Sequence, residues 1–301
     1  MPVIRRLPAR VLAAVLLLMA LVAPNDAFAQ ECDRACLAGM VTRYVDALVA
    51  RDPSALPLTA DVRFTEDGRD LKLGEGLWQT VTGKGTFRHD YLDTTAQVAA
   101  AHVELREGTN PVLYSVVLHM DGQRIGGIET LVQRITPESL FQPTELGGPI
   151  RGMDDAVPAG QRQSRAEMIG VALTYTNGLR IGNFVDAQTP FSPDAYRVEN
   201  GVITAGDGCA LAECGLTTQR IMVHPSILAS VAAVDEENGT VLLWMNFGFT
   251  NSYGPGNALV TFEAFKVWGG QIHSINAFFA PLPINTSRIW PTLDRVTAQD
   301  H

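Results

Sequence analysis

The sequence lacks the short motifs that mark several large enzyme classes. It contains no Gly-x-Ser-x-Gly elbow, no phosphate-binding P-loop, no dinucleotide-binding Gly-x-Gly-x-x-Gly and no His-Glu-x-x-His. Serine hydrolysis at such an elbow, nucleotide-dependent chemistry and zinc proteolysis therefore lose support. The sequence predicts that the protein works without a cofactor and without a metal ion.

Charged residues occur at a level ordinary for a soluble globular protein, but positive charge is scarcer than negative charge. They make up 18% of the 301 residues, and the formal net charge is -9. Lysine and arginine form no basic block. An acidic protein of this kind is a poor candidate for binding nucleic acid or anionic lipid.

Long hydrophobic runs are absent except near the N-terminus. Arginines precede an apolar run over residues 11–23, and Ala27-Phe28-Ala29 has the small-x-small form that signal peptidase cleaves. A membrane anchor is the alternative, but the run is shorter than the roughly 20 residues that span a bilayer. Residues 1–29 are predicted to be a signal peptide, so we expect a periplasmic or secreted protein with no membrane attachment after cleavage. Loss of three arginines and Asp26 takes the formal charge from -9 to about -11.

Cysteine is also scarce, since the chain has four, at Cys32, Cys36, Cys209 and Cys214. They form two sequence-local pairs in a chain predicted to enter an oxidising compartment, which favours disulfides. Local pairing is the preferred arrangement among the three connectivities that four cysteines allow. A zinc site is the rival interpretation, although the spacings do not match common zinc modules.

What the sequence does contain is one order of elements used twice. Apolar residues around Tyr44 lie at helical spacing, and a strand over residues 62–66 follows and ends in Glu66-Asp67-Gly68. In the second half, Ser164-Arg165-Ala166-Glu167 is a capping box that opens a helix with Tyr175, and a strand over residues 194–198 follows.

Strand-like runs close each repeat, and a stretch rich in proline and glycine separates the repeats. The runs cover residues 98–105, 112–120 and 125–132 in the first repeat, and 241–249, 259–267 and 272–279 in the second. Helices followed by antiparallel strands predict an α+β fold. We expect a first domain over residues 30–141, a linker over 142–163 and a second domain with a C-terminal tail over 164–301.

This order resembles the NTF2-like cone fold, which includes SnoaL-like cyclases and ketosteroid isomerases. The resemblance covers most of residues 33–134 and, more weakly, residues 164–280. It is carried by Arg43-Tyr44-Val45 with Leu48, Ala60-Asp61-Val62 with Glu66-Asp67-Gly68, and the Asp121-Gly122 hairpin leading into residues 125–130. The start Cys32-Asp33-Arg34-Ala35-Cys36 also resembles a group of tandem exported proteins of uncharacterised function. The resemblance implies two tandem NTF2-like domains, each with helices packed on a curved antiparallel sheet.

The resemblance also implies where chemistry would take place. In ketosteroid isomerase-like members, a tyrosine of the first helix polarises a substrate oxygen, and an acid at the end of the first strand moves a proton. Tyr44 and either Glu66 or Asp67 lie in the matching stretches. Because a glycine follows the acid here, the sequence leaves open which of the two acids faces inward. The alternative is that Tyr44 is a core residue and that the acids only end a strand and begin a turn.

Further candidates come from polar residues in apolar surroundings. His89 lies beside an acid and a phenol, and Glu129 shares strand parity with apolar neighbours, so both join Tyr44, Glu66 and Asp67 as catalytic candidates. Glu263 lies on an apolar strand face, which is costly unless the carboxylate is paired or protonated. His119, beside a turn, is expected to face solvent. The substrate-binding candidates are Trp78, Tyr175, Arg197, Glu199, Glu263 and His273, and a buried structural network is the alternative for most of them.

Taken together, the sequence favours a lyase, dehydratase or isomerase that transfers a proton on a small apolar or aromatic molecule. A tyrosine would hydrogen bond to the developing oxyanion. Two alternatives stay open: an exported binding protein that uses the same cavity without chemistry, and a duplication whose second unit replaces a homodimer partner. Whether the protein is an enzyme, and whether it forms a homodimer, is left open by the sequence.

Overall fold

Each half of the chain forms one six-stranded sheet, and the two sheets have the same topology. The computed structural model describes residues 31–148, 150–250 and 253–290. The first half contains β1 (Leu58–Glu66), β2 (Arg69–Leu71), β3 (Gly83–Asp93), β4 (Val98–Glu107), β5 (Asn110–Asp121) and β6 (Arg124–Arg134). The second half contains β7 (Phe191–Glu199), β8 (Val202–Ala205), β9 (Leu228–Asp235), β10 (Thr240–Asn246), β11 (Asn257–Trp268) and β12 (Gln271–Pro283).

The strand orders are β2-β1-β6-β5-β4-β3 and β8-β7-β12-β11-β10-β9. In each sheet the first strand of the half pairs in parallel with the last strand, and the other pairs are antiparallel. The predicted α+β class and the predicted repetition are therefore confirmed at the level of the two sheets.

One α-helix packs with each sheet. Helix α1 (Arg34–Ala50) begins after Asp33, whose side chain accepts a hydrogen bond from the Cys36 N–H, and helix α2 (Arg165–Ile181) begins at the predicted capping box. These are the only α-helices in the described residues, beside short 3-10 turns at Pro53–Ala55 and Gly76–Gln79. Fewer helices pack on each sheet than the resemblance implied, since each described half has one α-helix.

Four strands were missed by the sequence analysis: β2, β3, β8 and β9. Strands β2 and β8 form one edge of each sheet, and β3 and β9 form the other edge. In β3 the apolar pattern is hidden because Arg88 and Asp90 lie on one face and pair with each other at 2.6 Å. The described residues between β6 and α2 contain no helix or strand, and the domain boundaries drawn there stay predictions.

A shared core and two reciprocal ion pairs join the halves. Large side chains from both sheets, among them Phe87, Tyr91, Trp244, Phe262 and Phe278, form one buried cluster. The first residue of each helix reaches the last residue of the other half's edge strand. Arg34 binds Asp235 at 2.7 Å, and Arg165 binds Asp93 at 2.7 Å. We call these two ion pairs the helix clasps.

Both pairs of cysteines form local disulfides, Cys32–Cys36 and Cys209–Cys214, which confirms the preferred connectivity. Within the described residues no group of histidine, cysteine or acidic side chains is arranged to hold a metal ion. No helix in the described part of the chain is long and apolar enough to span a membrane. The predicted signal peptide lies outside the described residues.

Candidate functional site

The interior of the first half is filled by its own side chains. The Tyr44 hydroxyl lies 2.8 Å from the Tyr114 hydroxyl, and the Trp78 ring meets Tyr44 edge-on at 5.7 Å. All three side chains are buried. Glu66 is buried beside them and accepts the Leu77 N–H at 2.9 Å, and burial raises its pKa to about 6. Glu66 thus satisfies the backbone at the start of a short helical turn.

The other two acids predicted for the first half also have backbone or ion-pair partners. Asp67 is half-buried and accepts the Val132 N–H at 2.9 Å, and burial raises its pKa. Glu129 is buried between the two sheets, where Arg288 of the C-terminal segment donates to both of its oxygens at 2.8 and 2.9 Å. His119 does not face solvent as expected, because its ring stacks on Trp290 at 4.6 Å.

The two predicted histidines lie outside the interior of either half. His89 is buried in the core between the sheets, with Nδ1 3.0 Å from Asp154. The same region holds a hydrogen-bonded chain in which Tyr91 meets His102 at 3.0 Å. His273 stacks on Trp268 at 3.5 Å, at the turn between β11 and β12.

A cavity of about 610 Å³ opens in the second half, which is a size typical of small-molecule sites. Helix α2 contributes Tyr175, strand β7 contributes Arg197 and Glu199, and irregular segments close the sides. The apolar lining residues are Leu140, Phe141, Leu179, Ile221, Met222, Phe247, Leu259, Phe279 and Pro281. At the mouth, Glu138 and Arg220 are exposed and have opposite charges. The structure therefore brings three of the predicted binding residues together at one cavity.

Arg197 is the centre of the polar part of this cavity. Its Nη1 donates to the Tyr175 hydroxyl at 2.9 Å, and its Nε lies 3.1 Å from a Glu199 oxygen. Its other contacts are to Thr204 at 2.9 Å and to Gln219 at 3.0 Å. Residues 197 and 199 share a face of β7 because side chains alternate along a strand. The guanidinium is almost fully buried, whereas the Glu199 side chain keeps 19% of its surface exposed.

Glu263 lies buried behind this group on β11. Burial and, less strongly, the Glu199 charge raise its pKa to about 8, while Arg197 and a hydrogen bond with Tyr175 act to lower it. The carboxyl group is therefore largely protonated at neutral pH. Its Oε1 has no hydrogen-bond partner in the part of the chain that the structure describes.

The strand registers show where the two halves diverge. In the first half Glu66 lies opposite Thr130, which lies opposite Val116; in the second half Glu199 lies opposite Ala277, which lies opposite Glu263. Two residues before the acid, the first half has Phe64 and the second half has Arg197. At the positions of Arg197 and Glu263 the first half therefore has apolar side chains, Phe64 and Val116, although both halves have an acid at the end of the strand.

Sequence analysis missed His224, a lining residue of the cavity. It is buried, its ring contacts Phe247 at 4.8 Å, and burial lowers its pKa, so the imidazole is neutral at neutral pH. Nδ1 has no hydrogen-bond partner among the described residues. His224 belongs to an irregular segment between β8 and β9, where no periodic pattern could have assigned it to a cavity wall.

Among known protein families, one matches the second half of the chain, and it is described only as a domain of unknown function. Residues 161–279, which include most of the cavity, match a family model described as a domain of unknown function, DUF8021. The chain resembles a solved structure from Kribbella flavida designated a ketosteroid isomerase, with 17% identity and a TM-score of 0.25. That match covers 42% of this chain and 93% of the other, and at this level it says nothing about activity. No curated protein matches the chain.

Proposed function

We propose that the cavity of the second half binds a small, largely apolar molecule and transfers a proton on it without a cofactor. The reaction type is that of an isomerase, a dehydratase or another lyase. We further propose that the two halves are NTF2-like cones and that the second is the active one. Export agrees with the two disulfides, which persist in oxidising compartments.

The observation that carries this proposal is the position of Glu199. Its partly exposed carboxylate lies in the wall of a cavity with many apolar lining residues and is held there by Arg197 at 3.1 Å. A carboxylate fixed in place and screened from bulk water is suited to act as a general base. It would take a proton from the carbon next to a carbonyl group of the ligand.

Tyr175 would stabilise the negative charge that this step creates. Loss of the proton sends the C–H electron pair toward the carbonyl oxygen, and an enolate forms. The Tyr175 oxygen already accepts from Arg197, and its hydrogen bond with Glu263 can pass to the ligand because a neutral carboxyl group is a weaker acceptor than an enolate. The Tyr175 O–H is then left to donate to the enolate oxygen. Return of the proton from Glu199 to another carbon completes an isomerisation, and its transfer to a departing hydroxyl group, which leaves as water, completes a dehydration.

The alternative is a binding protein that uses the same cavity without chemistry. The contact between Glu199 and Arg197 favours it, because one carboxylate oxygen already has a partner. The two functions differ in a measurable way, since only the enzyme exchanges carbon-bound hydrogen of a bound ketone with solvent.

The test uses α-tetralone, an uncharged aromatic ketone, incubated with the purified protein in deuterated water. Nuclear magnetic resonance follows loss of the hydrogens next to the carbonyl. We expect exchange that Glu199→Gln slows by 100-fold or more, because general acid–base groups contribute about 100- to 10,000-fold. The matched control is Asp70→Asn, which also removes an arginine-paired carboxylate, but on the surface of the first half. Exchange that is equal in wild type and Glu199→Gln contradicts the enzyme and leaves the binding protein.

A further inference from the structure

The cavity has a second phenol, that of Tyr253, in the connection between β10 and β11. The side chain is half-buried, and its ring stacks on the His224 ring with 6.4 Å between the ring centres and 12° between the ring planes. The Tyr253 hydroxyl makes no hydrogen bond in the described residues and, unlike Nδ1 of His224, keeps accessible surface. Tyr253 therefore presents an O–H group that a ligand can reach.

This phenol lies near the carboxylate proposed as the base. Burial and, less strongly, the negative charge of Glu199 raise the pKa of Tyr253 to about 12, so the phenol keeps its proton at neutral pH. Because the effect of a charge falls with distance, the shift agrees with the place of both side chains in the wall of one cavity. The other phenol of the cavity differs, since the Tyr175 oxygen accepts from Arg197 at 2.9 Å.

A proton donor in this position is needed by one of the reactions considered above. An isomerisation returns the proton from Glu199 to another carbon of the ligand. A dehydration must also break a carbon–oxygen bond, and the departing oxygen needs a proton because hydroxide leaves poorly. Tyr175 is engaged with the carbonyl oxygen in this scheme, so Tyr253 is the phenol left to serve the departing oxygen.

We propose that Tyr253 is the general acid of a dehydration, and that the substrates are β-hydroxy ketones with an apolar or aromatic body. This inference rests on the proposed function and narrows it to a dehydratase. Glu199 takes a proton from the carbon between the carbonyl carbon and the hydroxyl-bearing carbon, and the enolate forms beside Tyr175.

The second half of the reaction uses the Tyr253 proton. The enolate returns to a ketone, a carbon–carbon double bond forms, and the bond from carbon to the hydroxyl oxygen breaks. That oxygen takes the Tyr253 proton and leaves as water, and the phenolate then takes the proton held by Glu199. The products are an α,β-unsaturated ketone and water, and both side chains return to their starting states.

The experiment gives the full chain two uncharged aromatic ketones, so that the exposed charges of Glu138 and Arg220 at the mouth attract neither. β-Hydroxybutyrophenone loses water to form crotonophenone, which is followed by ultraviolet absorbance. α-Tetralone has no hydroxyl group and reports only hydrogen exchange. Tyr253→Phe keeps the ring against His224 and is expected to slow dehydration by 100-fold or more, because general acid–base groups contribute about 100- to 10,000-fold. Exchange of α-tetralone is expected to stay unchanged in this variant.

The matched control is Tyr196→Phe, which also removes a phenol hydroxyl, but from the core between the two sheets, and leaves both reactions unchanged. Wild type that exchanges α-tetralone without dehydrating β-hydroxybutyrophenone overturns this inference and leaves the proposed function intact. Equal dehydration by wild type and Tyr253→Phe also overturns it, and so does an equal loss of both reactions in Tyr253→Phe, which a structural role would cause. Absence of exchange in wild type rejects the proposed function and this inference with it.

Discussion

Arg197 donates a hydrogen bond to the hydroxyl of Tyr175 at 2.9 Å, and both side chains are buried at the wall of one cavity. This contact joins the first strand of the second half to its helix. In the first half the equivalent tyrosine, Tyr44, meets another phenol, Tyr114, and no arginine is present at that position of the strand. The duplicated fold therefore holds two different interiors: the first is packed, and the second is open with a charged network in its wall.

Replacing Arg197 is expected to destabilise the protein strongly. Arg197→Leu leaves Glu199 without its cation and removes the partner of Tyr175, and breaking a buried ion pair costs about 3–5 kcal/mol. Urea unfolding of wild type and variant measures this difference. The control is Lys84→Leu, which removes an exposed lysine paired with the exposed Asp46, and about 0–1 kcal/mol is expected for it. Similar losses in both variants would contradict the buried network.

Glu263 is expected to make the protein less stable as the pH rises. Its pKa is raised to about 8 by burial, so the folded state holds a proton that the unfolded state releases from about pH 4.5 upward. Its contribution is present below pH 4.5 and is lost as the pH rises through about 8. Glu263→Gln mimics the protonated form and removes this dependence. The free energy of unfolding of wild type minus that of Glu263→Gln should fall between about pH 5 and pH 9, and a flat difference would reject the assignment.

The helix clasps are expected to hold the two halves together. The carboxylates of Asp93 and Asp235 are fully buried, and each also accepts a backbone N–H from the opposite half, at 2.8 and 3.1 Å. Asp93→Ala or Asp235→Ala should each lower the free energy of unfolding by about 3–5 kcal/mol, because an arginine and a backbone N–H lose their partner. The exposed pair Arg63 and Asp70 supplies the control, Asp70→Ala, for which about 0–1 kcal/mol is expected.

The clasps also bear on cooperativity. If they couple the halves as described, wild type unfolds in one transition, and either clasp variant shows the halves melting at separate temperatures or a single transition at lower temperature. Calorimetry that finds two transitions in wild type, unchanged in the clasp variants, would show that the halves fold independently of the clasps.

Much of the fold could be predicted from local signals. Some features depend only on residues close together in the sequence, so the sequence shows them directly. They are the capping box at Ser164, the N-cap at Asp33 and the apolar runs of β4 to β6. Strand β3 was missed because Arg88 and Asp90 lie on one face and neutralise each other. In the sequence these two charges look like part of a solvent-exposed segment, and only the structure shows that helix α1 packs against them.

The site was predicted only in part. Tyr175, Arg197, Glu199 and Glu263 were identified as candidates, but the resemblance favoured the first half. Whether an interior is open depends on how distant side chains fill it, and Tyr114 and Trp78 close the first one through contacts far apart in sequence. Glu129 shared strand parity with apolar residues, yet that face meets the other sheet and Arg288, which no local pattern shows.

The central claim, that the cavity of the second half is the functional one, is tested most directly by diffraction from crystals grown with α-tetralone. The account predicts density for the ketone inside the cavity. Its carbonyl oxygen should lie within hydrogen-bonding distance of the Tyr175 hydroxyl, and the neighbouring carbon should face Glu199. Density for the ketone inside the first half beside Tyr44, or an empty cavity in crystals saturated with the ketone, would contradict the account.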